Sequence, residues 1–128
     1  MKYLLDTHIL IWALAASDRL SSKACEVLEN MSNTIYFSPI SLWEVAIKHN
    51  KHPKKMSLSA EQVRDFAEQQ GFIELPMRAR HGVGIENLPA IHADPFDRML
   101  ITQAREDEMI LLTHDDLVAS YGESILKV

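Results

Sequence analysis

Apolar positions along this chain follow two rhythms, and they alternate. Compact apolar runs of four or five residues give way to longer stretches with helical periodicity. KYLLD (2–6) predicts a short strand ending in an acid, and THILIWALAA (7–16) a helix directly after it. A second helix is expected over about residues 21–31. TIYFS (34–38) is β-rich, with Ile35 and Phe37 alternating against Tyr36. Pro39 suits the first turn of a helix reaching about His49, because its missing N–H costs nothing there. Ser59 to Gln70 predicts a helix with Ser59 and Gln62 as a capping box and Gly71 as its stop. FIELP (72–76) reads as a strand and Arg78 to Asn87 as a weaker helix containing Gly82 and Gly84. Pro95 to about Glu106 has the strongest helical pattern. MILLT (109–113) and SILKV (124–128) read as the last strands.

Apolar strands separated by helices imply a parallel sheet covered on both faces. The expected fold class is α/β, a three-layer α/β/α arrangement around a central, mainly parallel sheet, with residues 1–128 as a single domain. In such a sheet ligands bind beyond the carboxyl ends of the strands. The residues at those ends therefore carry the functional question.

Composition adjusts this picture only modestly. A chain of 128 residues suits one domain, and an apolar share of 47% is ordinary for a soluble protein. Cys25 is the one cysteine, so no intramolecular disulfide forms; within SSKACEVLENM it reads as a small core residue. The run ILIWALAA (9–16) is far shorter than the roughly 20 residues of a membrane span. Asp6 interrupts the apolar start and only Lys2 gives it a charged beginning, which argues against a signal peptide. A cytoplasmic location is expected.

Charge narrows the options further. The net charge of −5 excludes nucleic-acid binding by bulk electrostatics. A local basic patch, or metal ions that mask acids, would be needed instead. KHNKHPKK (48–55) is the candidate patch, with Lys48, Lys51, Lys54 and Lys55 and no acid. It reads either as a solvated loop after a helix or as a phosphate-contacting edge.

Four acids stand at strand exits or helix entrances: Asp6, Glu44, Asp97 and Asp115. Each has a simple structural reading. Asp6 and Asp115 suit helix N-caps, Ser41 with Glu44 matches a capping box, and Asp94-Pro95-Phe96-Asp97 matches a cap, first turn and third position. Acids there gain roughly 0.3–1 kcal/mol from the helix dipole. A doubly wound sheet, however, brings such positions to one edge. At ~4 Å and an effective dielectric near 20, one like-charge pair costs about 4 kcal/mol. Caps alone do not offset several such pairs. Shared protons or a divalent cation would. Oxygen donors without a Cys/His pattern suit Mg²⁺ or Mn²⁺ over zinc. Such a site points to metal-dependent phosphoryl or phosphodiester chemistry. HGVGIEN lacks the remaining features of a phosphate loop.

Taken in order, LLDTHILIW (4–12), ISLWEVAIK (40–48), HADPFDRMLITQA (92–104) and LLTHD (111–115) resemble the signature blocks of PIN-domain ribonucleases, and more narrowly the toxins of VapC-type toxin–antitoxin pairs. The resemblance implies Asp6, Glu44, Asp97 and Asp115 as an acidic quartet, with Asp6 and Asp97 the principal metal ligands and Glu44 and Asp115 completing the pocket. Thr113 corresponds to a small hydroxyl residue before the last acid. Asp94 takes a capping role first and a metal role second, Asp116 rivals Asp115, and Arg98 reads as a surface ion pair with phosphate contact as the alternative. The implied function is a Mg²⁺-dependent endoribonuclease toxin, Mn²⁺ being the alternative ion, with RNA as substrate, a cognate antitoxin as partner and a homodimeric state. Trp43 reads as packed, and Trp12 lies on a helix apolar enough to serve an interface.

Two further readings remain open. A phosphatase of haloacid-dehalogenase type would use a strand-end Asp as nucleophile, but that chemistry favours Asp-x-Asp, and here Asp6 is followed by Thr7 and His8. A non-catalytic module on a nuclease fold would have lost acids that this chain retains.

Overall fold

The computed structural model describes residues 1–122 and 124–128. Strands β1 (Lys2–Leu5), β2 (Thr34–Phe37), β3 (Ile73–Glu74), β4 (Ile110–Thr113) and β5 (Ile125–Lys127) form one sheet in the order β3-β2-β1-β4-β5. Every pairing is parallel. The helices are α1 (Thr7–Leu14), α2 (Ser22–Glu29), α3 (Pro39–Lys51), α4 (Ala60–Gln69), α5 (Ala79–Gly84), α6 (Pro95–Glu106) and α7 (Asp116–Ala119), with a 3-10 turn at Ile85–Asn87. The expected three-layer α/β/α architecture is present, and its sheet is wholly parallel among the described residues.

Period-two alternation splits the core in two. Tyr3 and Leu5 of β1, Ile35 and Phe37 of β2 and Leu112 of β4 face one layer, with Ile9 and Leu10 of α1, Val45 of α3, and Val63 and Ala67 of α4. Leu4 and Leu111 face the other, against Leu100, Ile101 and Ala104 of α6 and Val118 of α7. Leu4, Leu5, Leu111 and Leu112 are all fully buried. Each stabilises the fold by about 1.5–3 kcal/mol relative to exposure, which explains why these strands carry no polar face. α3 contributes Ile40 to one core and Val45 to the other, and it contacts α1 and α4 in one layer and α6 in the opposite one. That position brings its residue Glu44 to the sheet's carboxyl edge.

Several boundaries differ from expectation. α1 ends at Leu14, and Ala16 takes a positive φ of 50°. Only Ile73 and Glu74 of FIELP pair, because β3 is an exposed edge. Ser41 with Glu44 is not a capping box: Ser38 is the N-cap of α3, accepting from Ile40 N. Ser41 instead lies buried in the first turn and accepts a hydrogen bond from Thr7 Oγ1 at 3.0 Å, tying α1 to α3. The capping box at Ser59 and Gln62 is present. In α2 the fully buried residue is Ala24, whereas Cys25 is only half-buried, against its reading as core. Gly84 serves close packing rather than phosphate: a Cβ there would meet Glu106 Oε1 at 2.6 Å and Thr102 Cγ2 at 3.1 Å on α6. Among the described residues no helix is long and apolar enough to cross a membrane.

Candidate active site

The strand order reverses between β1 and β4, so the switch point of the sheet lies where those two strands end. Asp6 is the first residue after β1. Its N–H donates to Leu112 O of β4 at 3.0 Å, locking its position at the crevice. One carboxylate oxygen caps α1 by accepting from Ile9 N at 2.9 Å, and the other accepts a short hydrogen bond from the Thr113 hydroxyl. Asp6 is only 3% exposed. Burial raises its pKa above the ordinary carboxylate value, against the opposing pull of the Thr113 and Ile9 bonds. One side chain thus both caps α1 and lines the crevice, with Thr113 as its partner.

Glu44 enters from α3 and is 5% exposed. Its Oε2 accepts from Lys48 Nζ at 2.6 Å, one helical turn on, while Oε1 is buried without a hydrogen-bond partner among the described residues. A buried unpaired carboxylate oxygen is costly and marks a site built for a proton, a water or an ion.

α6 supplies the third acid. Asp94 is its N-cap, accepting from Phe96 N at 2.8 Å and Asp97 N at 3.2 Å through one oxygen. Asp97, one turn in, is pushed up from 3.8 to about 6, chiefly by burial and next by the negative charge of Asp94. His92 opposes the rise, its Nε2 lying 2.9 Å from Asp97 Oδ2. Asp6 and Glu44 raise it further, so these acids sit close enough to feel one another's charge. Asp115 caps α7 through one oxygen shared by Leu117 N and Val118 N. Single ligand atoms from His92, Asp97 and Asp115 lie within 4.8 Å of one another. Asp6 and Asp115 in turn line one cavity with His8, Trp12, Arg19 and His114.

The four acids expected from the sequence therefore gather at one edge. His92 is the member that sequence reasoning missed. It lies in a loop, outside any helical period, and only its position five residues before Asp97 hinted at it. Asp116 turns away, exposed and paired with Lys127. Among the described residues Arg98 has no carboxylate partner: it donates to Pro89 O at 3.0 Å, His92 O at 3.3 Å and Leu88 O at 3.4 Å, pinning the loop that presents His92. Trp43 is not packed but 59% exposed, its ring set edge-on to Phe96 at 5.2 Å. Of the basic segment, Lys48 commits its charge to Glu44, whereas Lys51, Lys54 and Lys55 are exposed at the helix end.

The donor set fits a hard divalent cation. It is mainly carboxylate oxygen, one buried oxygen lacks a partner, and two of the acids are held above their usual pKa by burial and mutual charge. A PIN domain family model matches residues 3–123. The chain belongs to the PIN domain family. PIN domains are nucleases. No curated protein matches the PIN domain described here. Solved structures similar to it include VapBC2 from Rickettsia felis bound to a DNA fragment from its promoter, at 18% identity and a TM-score of 0.72, covering 100% of this chain and 98% of that one. VapBC-1 from nontypeable Haemophilus influenzae is 16% identical with a TM-score of 0.62, covering 94% and 92%. FitAcB from Neisseria gonorrhoeae is 15% identical with a TM-score of 0.58, covering 93% and 91%. At these identities the likeness speaks for the shared fold.

Proposed function

We propose that this PIN domain, acting as one domain over residues 1–128, is the endoribonuclease toxin of a VapC-type, type II toxin–antitoxin pair. The observation that carries the reading is the buried, unpaired Glu44 Oε1 within a gathering of acids at the switch point of the sheet. The similarity to VapBC2 and VapBC-1 supports the toxin assignment. Asp6, Asp97 and Asp115 would hold Mg²⁺, or Mn²⁺ in its place, with Asp94 as a reserve donor. When bound, the ion lowers the pKa of water and neutralises charge on a phosphodiester. Glu44 Oε1 is the free acceptor that orients the attacking water. Thr113 fixes Asp6, and His92 fixes Asp97. Lys48 balances Glu44, which leaves Lys51, Lys54 and Lys55 to approach flanking phosphates. A cognate antitoxin, a homodimer and a cytoplasmic location complete the reading.

A phosphatase using Asp6 as nucleophile is disfavoured, because that chemistry favours Asp-x-Asp and here Thr7 and His8 follow Asp6. The deciding experiment is cleavage of labelled single-stranded RNA by purified, antitoxin-free protein with Mg²⁺ or EDTA, alongside Asp97→Asn. Mg²⁺-dependent cutting that the mutant lacks is the expected result. Equal cutting by both proteins, or none by wild type across a broad RNA pool, would overturn it.

A further inference from the structure

The cavity that holds Asp6 and Asp115, about 550 Å³, does not end at the acids. A second one of about 370 Å³ shares His8, Trp12 and Arg19 with it and runs on to Lys48, His52 and Lys55. The combined groove changes character along its length. The carboxylates line only the first cavity, Lys48 and Lys55 only the second, and Trp12 and Arg19 border both. Both cavities lie within the range of small-ligand sites, roughly 300–1,000 Å³.

Trp12 packs one side against the core but is not enclosed by it. It is half-buried and borders both cavities. His8 lies beside it with ring centroids 5.8 Å apart and planes tilted 33°, while His114 meets it edge-on at 5.3 Å and 71°. The two histidines are exposed. Arg19 and Lys55 form no ion pair with described residues, although the chain is acidic and Lys48, Arg64, Arg80 and Lys127 each have a carboxylate partner. Uncompensated cations at the rim of an aromatic groove suit an anionic ligand with a flat ring.

We infer that this groove is a subsite for one nucleotide of the RNA strand next to the cleaved phosphate: its base stacks on Trp12 and its outer phosphate meets Arg19 and Lys55. The inference takes its substrate from the ribonuclease reading. Stacking on a π-face tolerates any base, so the subsite selects single strands over duplex rather than one sequence. The acids alone repel the strand, and the cationic end supplies an attraction located beyond them.

The test reads binding apart from cleavage. In the Trp43→Phe protein, Trp12 is the sole tryptophan. A short oligouridylate titrated in EDTA should quench its emission. By polarisation of a fluorescein-labelled strand, Trp12→Leu should weaken binding about tenfold, within the range for one lost base stack. Arg19→Gln and Lys55→Gln, both at exposed positions, should each lower the slope of log K against log salt by about 0.7. They carry the test if Trp12→Leu fails to fold. Unquenched emission at saturation, or unchanged salt slopes in both charge variants, overturns the subsite. Wild-type Mg²⁺-dependent cleavage alongside either result leaves the ribonuclease reading intact. Quenching and altered slopes without cleavage by wild type leave the subsite standing and remove that reading.

Discussion

At the scale of single residues, the recurring device is a carboxylate that caps a helix at the carboxyl edge of the sheet. Asp6, Asp94 and Asp115 each use one oxygen on backbone N–H groups at a helix start. Capping fixes the side chain's direction, which free surface acids lack. Asp97 shows the energetic cost of gathering them. Its folded pKa of about 6 exceeds its ordinary 3.8, so between those values the folded state binds more protons than the unfolded one. Stability of the metal-free protein should therefore fall as pH rises through that window. Urea unfolding at successive pH values, with and without Asp97→Asn, checks this. The mutant should lose that part of the slope and gain about 1 kcal/mol, or roughly 4 °C in Tm, near neutral pH. Asp94→Ser separates that residue's two roles. It should stay within about 0.5 kcal/mol of wild type, since serine caps as well as aspartate. Retained RNA cleavage then assigns Asp94 to capping, and lost cleavage assigns it to the metal.

At the scale of elements, α3 and α6 are the pieces that must meet correctly. Ser38 caps α3 and its hydroxyl donates to Gln103 Oε1 at 2.5 Å, both residues being fully buried. Gln103 Nε2 reaches Leu75 O at 3.4 Å. This polar link holds the Glu44 helix against the Asp97 helix. Ser38→Ala removes a cap and strands a buried amide oxygen, so a loss of about 2–3 kcal/mol is expected in chemical denaturation. Cleavage should fall as well, because Glu44 and Asp97 are positioned through it. The capping patterns at Ser59 and Asp94 were legible from sequence because a cap is a local event within four residues. Ser41 with Glu44 carried the same local pattern yet lay one turn inside α3. The choice of Ser38 depended on where β2 ended.

At the scale of the whole molecule, an acidic protein is expected to act on an acidic polymer, and the structure separates the charges by place. Acids occupy the carboxyl edge; Lys51, Lys54 and Lys55 lie exposed at the end of α3. Replacing Lys51, Lys54 and Lys55 with Gln should weaken RNA binding and flatten its salt dependence. Unchanged binding in a salt titration would remove the segment from the interface. Mg²⁺ should raise the Tm of wild type near neutral pH through preferential binding to the folded state. At an ion concentration of 100 Kd the gain is about 2.7 kcal/mol. Asp97→Asn should remove most of that gain, and so should lowering the pH below about 6, where Asp97 takes up its proton.

The sequence by itself determined the α/β class, the parallel sheet and the positions of the acids. Apolar runs such as MILLT bury on both faces wherever they are placed, and acids before helices signal their role within one turn. Tertiary structure decided everything that depends on who meets whom. The reversal of strand order set Asp6 beside Thr113 across 107 residues of chain. A loop pinned by Arg98 swung His92 onto Asp97, and packing on both layers of helices left one oxygen of Glu44 buried and unpaired. It also left Trp43 in solvent and Trp12 between two cavities, although both lie in apolar helical runs. Such contacts join residues far apart along the chain, and their free energy depends on the finished packing of the layers rather than on any local pattern.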